Sequence, residues 1–282
     1  MVRLSSVALL LAATCLHVHS AHGKGKVSCK DAKGKDVDWF VLYKLPKTRQ
    51  TNNNFMALTG HEMLYYDSKS GKGIWSLLAG SIYGKENNPV WHTLAPIYQN
   101  ETDVAYVAYN DQLPHEFNGT RGGHTKGILM AGTKKKEGIA WLQHSVPRFL
   151  QAVTKGYRYP ENGLENGQLF FCISVPVKYA DVLAIHLQVQ AANVYQRNAP
   201  KWAQAYPEFW RILNKEYMRR VPKDLLKVDF LLTNKRKLVM AIAKPPNYPK
   251  DIYTQELGHQ MNDSITVQSW KNGAGGAQDQ HC

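Results

Sequence analysis

The chain has 282 residues, with 35 Lys and Arg against 22 Asp and Glu, and a formal net charge of +13 at pH 7. This length suits one large domain or two packed lobes, and no segment after residue 20 approaches the roughly 20 apolar residues of a membrane-spanning helix, which excludes an integral membrane protein. The positive charge favours a polyanionic partner: nucleic acid, an anionic glycan or an acidic membrane face. A basic surface that only aids solubility is the alternative.

The N-terminus has the pattern of a secretory signal peptide over residues 1–20. Arg3 precedes an apolar run from Val7 to Leu16, which is too short to span a membrane and is followed by small residues. Residues 21–282 are therefore expected to form a soluble domain that enters the secretory pathway. Three N-glycosylation acceptors fit that route, each in an Asn-x-Ser/Thr pattern: Asn100, Asn118 and Asn262.

Apolar patterning predicts both strands and helices along the chain. The predicted strands cover residues 37–44, 62–67, 104–109, 127–131, 139–144, 169–175 and 264–270. The predicted helices cover residues 178–193, 207–220 and 250–261. The strands at 127–131 and 139–144 flank a Lys-rich turn and should pair as a hairpin.

The segment Gly123-His124-Thr125-Lys126-Gly127 carries the clearest chemical signal. In an extended segment His124 and Lys126 point to one side, where an imidazole can attack phosphorus and an ammonium can hold a phosphate oxygen. The predicted hairpin places both residues where a strand begins and His144 where its partner ends, so one end of one sheet should carry all three. Chemistry of this kind usually needs a second imidazole, and the sequence has no second His-x-Lys.

Three cysteines remain once the signal peptide is removed: Cys29, Cys172 and Cys282. An odd number in a secreted protein means a free thiol, an intermolecular bridge or a missing partner. We expect a disulfide between Cys29 and Cys172, which leaves Cys282 unpaired within the chain.

A metal site is the weaker chemical alternative. The chain has no His-x-x-x-His and no Cys-x-x-Cys pattern, so zinc ligation is disfavoured, and we expect neither a metal nor a cofactor. His115 is expected to be a solvated loop residue. The basic runs at 219–223 and 235–237 are consistent either with a DNA-backbone track or with an exposed charged surface.

Four blocks together resemble the deoxyribonuclease II family. They are Val37-Asp-Trp-Phe-x-x-Tyr-Lys-Leu-Pro46, Tyr109-Asn-Asp-x-x-Pro114, Gly123-His-Thr-Lys-Gly127 and His144-Ser-Val-Pro147. The resemblance covers the mature chain, becomes weaker towards Cys282, and places Cys172 where the family has a strand cysteine. It implies an α+β, phospholipase D-like sandwich of two similar lobes, each supplying one His-x-Lys to a shared site.

The resemblance also implies an acid, metal-independent endonuclease that leaves 3′-phosphate ends and acts in lysosomes or secretions. One His is the nucleophile, and the other protonates the leaving oxygen, which requires a pH below the ordinary imidazole pKa of about 6.5. His124 and Lys126 fill the first His-x-Lys, and His144 lies near the site, whereas Asp38 and Lys44 are expected to support the structure. DNA would be bound through its backbone, without sequence preference.

The second His-x-Lys of the family is expected beyond residue 282, so the second lobe is expected to be incomplete and this chain weak or inactive by itself. A homodimer that brings two His124 residues together is the less favoured arrangement. The alternative function is a secreted basic protein that binds DNA or another polyanion without cutting it.

Overall fold

A large antiparallel sheet with helices on its faces forms the centre of the fold in the computed structural model, which describes residues 26–48, 57–71, 73–119, 122–134 and 137–267. The strands are β1 (Cys29–Lys30), β2 (Asp36–Val37), β3 (Trp39–Lys44), β4 (Met63–Asp67), β5 (Ser76–Leu77), β6 (Ala105–Tyr109), β7 (Gly127–Gly132), β8 (Gly138–His144), β9 (Gln168–Val175), β10 (Val194–Asn198), β11 (Lys227–Leu232) and β12 (Leu238–Ala243). The helices are α1 (Pro89–Tyr98), α2 (Ala180–Val189), α3 (Pro207–Leu213) and α4 (Gly258–Met261). Short 3₁₀ turns cover Val153–Lys155, Glu161–Gly163, Val177–Tyr179 and Lys201–Ala205, and a π-helical segment covers Ile252–Leu257.

Eight strands form the main sheet in the order β10-β6-β7-β8-β9-β3-β4-β5, and each neighbouring pair is antiparallel. The central strands are apolar on both faces because both faces are covered. Helix α1 and the segment after β8 cover one face, and helices α2 and α3 with the β11–β12 hairpin cover the other. The chain is therefore α+β, as the sequence predicts.

The disulfide between Cys29 and Cys172 ties β1 to β9 within the core, and both cysteines are fully buried. The two cysteines are 143 positions apart in the sequence. A cross-link across so long a loop restricts the unfolded chain strongly.

Three structural predictions were wrong in whole or in part. The predicted helix over 178–193 is α-helical only over α2 (Ala180–Val189), and the chain turns away at Ala191, whose φ is +53°. The predicted helix over 207–220 ends at Leu213, because Lys215 has a φ of +59°, in the left-handed region, and turns the chain out of the helix. Residues 264–267 form no strand and pair with none of the described strands, and residues 268–270 lie outside the described part. Helix α1, β10 and the β11–β12 hairpin were not predicted.

The predicted signal peptide, residues 135–136 of the β7–β8 turn and Cys282 lie outside the described residues. Within the part of the chain that is described, no helix is long and apolar enough to cross a membrane.

Candidate active site at one end of the sheet

Two glycines fix the backbone on either side of His124 and Lys126. A Cβ on Gly123 would lie 1.8 Å from the carbonyl oxygen of Gln190, at the end of helix α2. A Cβ on Gly127 would lie 2.4 Å from the hydroxyl oxygen of Tyr109 and 2.6 Å from the carbonyl oxygen of Leu142. Real Cβ atoms do not approach so closely, so only glycine fits at either position. The segment is thereby held between helix α2 and the sheet.

His124 and Lys126 both contact one carboxylate, that of Asp111. The Nδ1 atom of His124 lies 2.9 Å from Asp111 Oδ2, and the ammonium of Lys126 pairs with Asp111 Oδ1. The side chain of His124 is 91% exposed, whereas that of Lys126 is 7% exposed. A carboxylate only accepts hydrogen bonds, so Nδ1 carries the shared proton and the lone pair of a neutral His124 ring lies on Nε2. The pair lies immediately before β7, where the sequence predicted it.

Asp111 is held in place by its buried neighbour Asn110. The side-chain nitrogen of Asn110 donates to the carbonyl oxygens of Val146 (3.1 Å) and Phe149 (2.7 Å), and its Oδ1 accepts from the backbone N–H of Gln112 (2.9 Å). These bonds join the end of β6 to the turn that follows β8. Asp111 belongs to the Tyr109-Asn-Asp-x-x-Pro114 motif, but its contact with His124 and Lys126 was not predicted. An acidic residue two positions after the end of a buried strand was the available signal.

His144 lies at the same end of the sheet but is enclosed. Its backbone N–H donates to the carbonyl of Lys126 (3.2 Å), its Nδ1 accepts from the N–H of Val146 (3.1 Å), and its ring contacts Phe149 and Phe170. Its buried Nε2 has no hydrogen-bond partner among the described residues. Burial, with a smaller contribution from the charge of Lys126, lowers the pKa of His144 to about 3. The ring is therefore neutral across the ordinary acid range.

Asp38 and Lys44 make buried hydrogen bonds to neighbouring segments, in keeping with the structural role expected of them. Buried Asp38 accepts from the hydroxyl of Thr233 and from the N–H of Lys235 (2.9 Å), which anchors the β11–β12 turn. Lys44 is fully buried and donates to the carbonyl oxygen of Leu164 (2.9 Å), and burial lowers its pKa to about 8.

The three predicted glycosylation acceptors, Asn100, Asn118 and Asn262, all lie at exposed positions. In the described part of the chain, no group of three His, Cys, Asp or Glu side chains is placed to hold a metal ion.

A family model described as deoxyribonuclease II matches residues 28–282. The chain belongs to the deoxyribonuclease II family. It is 31% identical over 255 residues to cell-death-related nuclease 7 of Caenorhabditis elegans, an alignment that covers 90% of this chain and 66% of that protein. It is 30% identical to deoxyribonuclease-2-alpha of Sus scrofa (89% of this chain, 68% of that protein) and 29% identical to human deoxyribonuclease-2-beta (88% and 68%). The chain thus spans about two thirds of the length of these deoxyribonuclease II relatives.

Proposed function

We propose that this chain carries one half of a nuclease site that cuts the phosphodiester backbone of DNA at acid pH without a metal ion. The observation that carries the proposal is the shared contact of His124 and Lys126 with Asp111. It leaves an exposed imidazole with its Nε2 lone pair beside a held ammonium. An attack on phosphorus requires these two groups, a nucleophile and a cation that holds a phosphate oxygen.

In the proposed reaction, His124 Nε2 attacks phosphorus and the bond from phosphorus to the 5′-oxygen breaks. The leaving oxygen takes a proton from a general acid, and the 3′-side of the DNA remains on His124 as a phosphohistidine. Water then breaks the phosphorus–nitrogen bond and releases a 3′-phosphate end. Lys126 holds a non-bridging oxygen throughout, and Asp111 is a positioning residue that keeps the Nδ1 proton on the far side of the ring.

The general acid is the part that His124 and Lys126 do not supply. His144 is neutral with a pKa of about 3, so in this geometry it has no proton to give at about pH 5. We place His144 as a neutral ring that packs behind Lys126. Because the sequence has no second His-x-Lys, we propose that this chain alone is slowed by a factor of roughly 10²–10⁴.

The remaining parts of the proposal concern architecture and setting. On this view the fold is a phospholipase D-like sandwich of two lobes, and residues 21–282 belong to one deoxyribonuclease II-like domain. Residues 1–20 direct the chain to the lysosome or the exterior, where the three acceptor asparagines carry glycans. The net charge of +13 supports sequence-blind binding to the DNA backbone.

The test is nicking of supercoiled plasmid at about pH 5, in the acid range, with and without excess EDTA. We compare the chain with His124→Ala and with His61→Ala, a control that removes an exposed imidazole next to Tyr83 at the start of β4. Slow nicking that only His124→Ala abolishes supports the proposal. Nicking that EDTA abolishes, or that survives His124→Ala, refutes it. Binding of the plasmid by all three proteins without nicking would favour the non-catalytic binding protein.

A further inference from the structure

The turn that follows β8 holds Arg148 in a fixed position beside the candidate active site. Arg148 has a φ of +60°, a left-handed conformation that non-glycine residues adopt only where surrounding contacts impose it. Its backbone N–H donates to the carbonyl of Gln112 (2.9 Å), next to Asp111. The carbonyls of Val146 and Phe149 on either side of it are both bound by Asn110. The backbone of this exposed arginine is therefore fixed to the loop that carries Asp111.

The guanidinium of Arg148 contacts the ring of His115. Nη1 of Arg148 lies 2.9 Å from Nε2 of His115, and both residues are exposed. A guanidinium can only donate, so Nε2 must accept and His115 is uncharged in this contact. His115 comes four positions after Asp111 on the same loop.

We infer that Arg148 and His115 form a proton-linked phosphate clamp, which binds a DNA backbone phosphate next to the one that His124 attacks. This inference rests on the proposed function, because it takes DNA as the ligand. Arg148 supplies a permanent charge, and His115 supplies a second donor once it is protonated. Neither residue takes part in the bond-breaking step.

The charged groups around His115 leave the clamp available to an anion. On its own loop, the carboxylate of Glu116 is engaged by the N–H of Ala152 (3.2 Å) and by the ammonium of Lys155 (3.4 Å). On the facing turn the charged neighbours are Arg148 and Lys155, both cationic. No ion pair between Arg148 and a carboxylate is found among the described residues, and its side chain is exposed.

Proton linkage follows from the geometry of the contact. When His115 gains a proton, Nε2 changes from acceptor to donor, and two cations at this separation repel each other. A phosphate accepts from both at once and removes the repulsion. DNA binding is therefore coupled to proton uptake at His115, and acidification is expected to strengthen it.

The test measures binding of a short fluorescein-labelled DNA duplex by fluorescence anisotropy, in excess EDTA, at about pH 5 and about pH 7.5 and at several salt concentrations. Every protein carries His124→Ala, which prevents cleavage and removes the imidazole of the proposed nucleophile. The test variants are Arg148→Gln and His115→Gln. In His115→Gln the amide oxygen can still accept from Arg148, but the side chain cannot take up a proton. Arg211→Gln is the matched control, because helix α3 covers the opposite face of the sheet.

We expect Arg148→Gln to weaken binding by about threefold to tenfold at about pH 5 and to lower the slope of log affinity against log salt by about one. His115→Gln should bind like the parent at about pH 7.5 and lose most of the gain on acidification. Variants with the slope and pH dependence of the parent and of Arg211→Gln would overturn the clamp while leaving the proposed function intact. Absence of salt-dependent DNA binding in every protein would overturn both.

Discussion

The enclosure of His144 makes the stability of this protein depend on pH in a calculable way. In the folded chain, burial and Lys126 hold the pKa of His144 at about 3. In the unfolded chain the imidazole has its ordinary pKa of about 6.5. Between these two values the unfolded state binds a proton that the folded state does not, so the free energy of unfolding falls as the pH falls. At about pH 5 the loss from this residue is about 2 kcal/mol, at roughly 1.4 kcal/mol per pH unit.

The variant His144→Asn isolates that contribution. The shorter amide cannot be charged, and its oxygen can replace Nδ1 as the acceptor for the N–H of Val146. The variant should be less stable than the parent at about pH 7.5, because ring contacts with Phe149 and Phe170 are lost. Its stability should, however, fall by about 2 kcal/mol less on acidification to about pH 5.

Urea unfolding of both proteins at several pH values measures the difference. Burial also lowers the pKa of His186, which therefore contributes in the same direction, but it is present in both proteins and cancels. Parallel stability-against-pH curves for the parent and His144→Asn would show that His144 is protonated in the folded state, and would refute the neutral assignment.

Three further results are expected from the geometry. Asp111→Asn should slow plasmid nicking on the order of 100-fold with little change in the urea midpoint, because the amide no longer fixes the imidazole of His124 and the ammonium of Lys126. Nicking by this variant at the rate of the parent would contradict the positioning role. Gly123→Ala should also reduce nicking, since its Cβ would overlap a carbonyl of helix α2, whereas Gly71→Ala has open space and should match the parent; circular dichroism checks that both fold. Cys29→Ala should lower the free energy of unfolding by about 5 kcal/mol in the chain-entropy treatment of the loop closed with Cys172. The parent in reductant should lose the same stability as the variant loses without reductant. An unchanged free energy of unfolding in the variant, or unequal losses in the two experiments, would contradict a stabilising bridge.

Strands with regular apolar patterns could be predicted closely from the sequence. The hairpin of β7 and β8 is paired with Gly127 opposite Gln143, which brings the backbone of Lys126 to that of His144 as expected. Helix α1 was missed because it contains Pro89 and Pro96, and proline usually indicates the absence of a helix. Pro89 occupies the first turn, where no backbone donor is needed, and Asn88 caps the helix by accepting from Val90 and Trp91.

The candidate site was only partly readable from the sequence. The spacing of His124 and Lys126 is local, so the pattern could reveal it. The contact with Asp111 depends on how the end of β6 meets the turn after β8, which is a tertiary arrangement set by Asn110. The enclosure of His144 depends on rings from two other segments. A sequence pattern therefore identifies the residue types at such a site but not the burial that decides their protonation.

The most direct test of the central claim is to find the nucleophile itself. Plasmid would be mixed with the chain at about pH 5 in excess EDTA and quenched in alkaline denaturant, which preserves phosphohistidine, and the peptides would be examined by mass spectrometry. We expect a DNA adduct on the peptide that contains His124, and no adduct in His124→Ala. An adduct on His144, or nicking with His124 unmodified throughout, would contradict it.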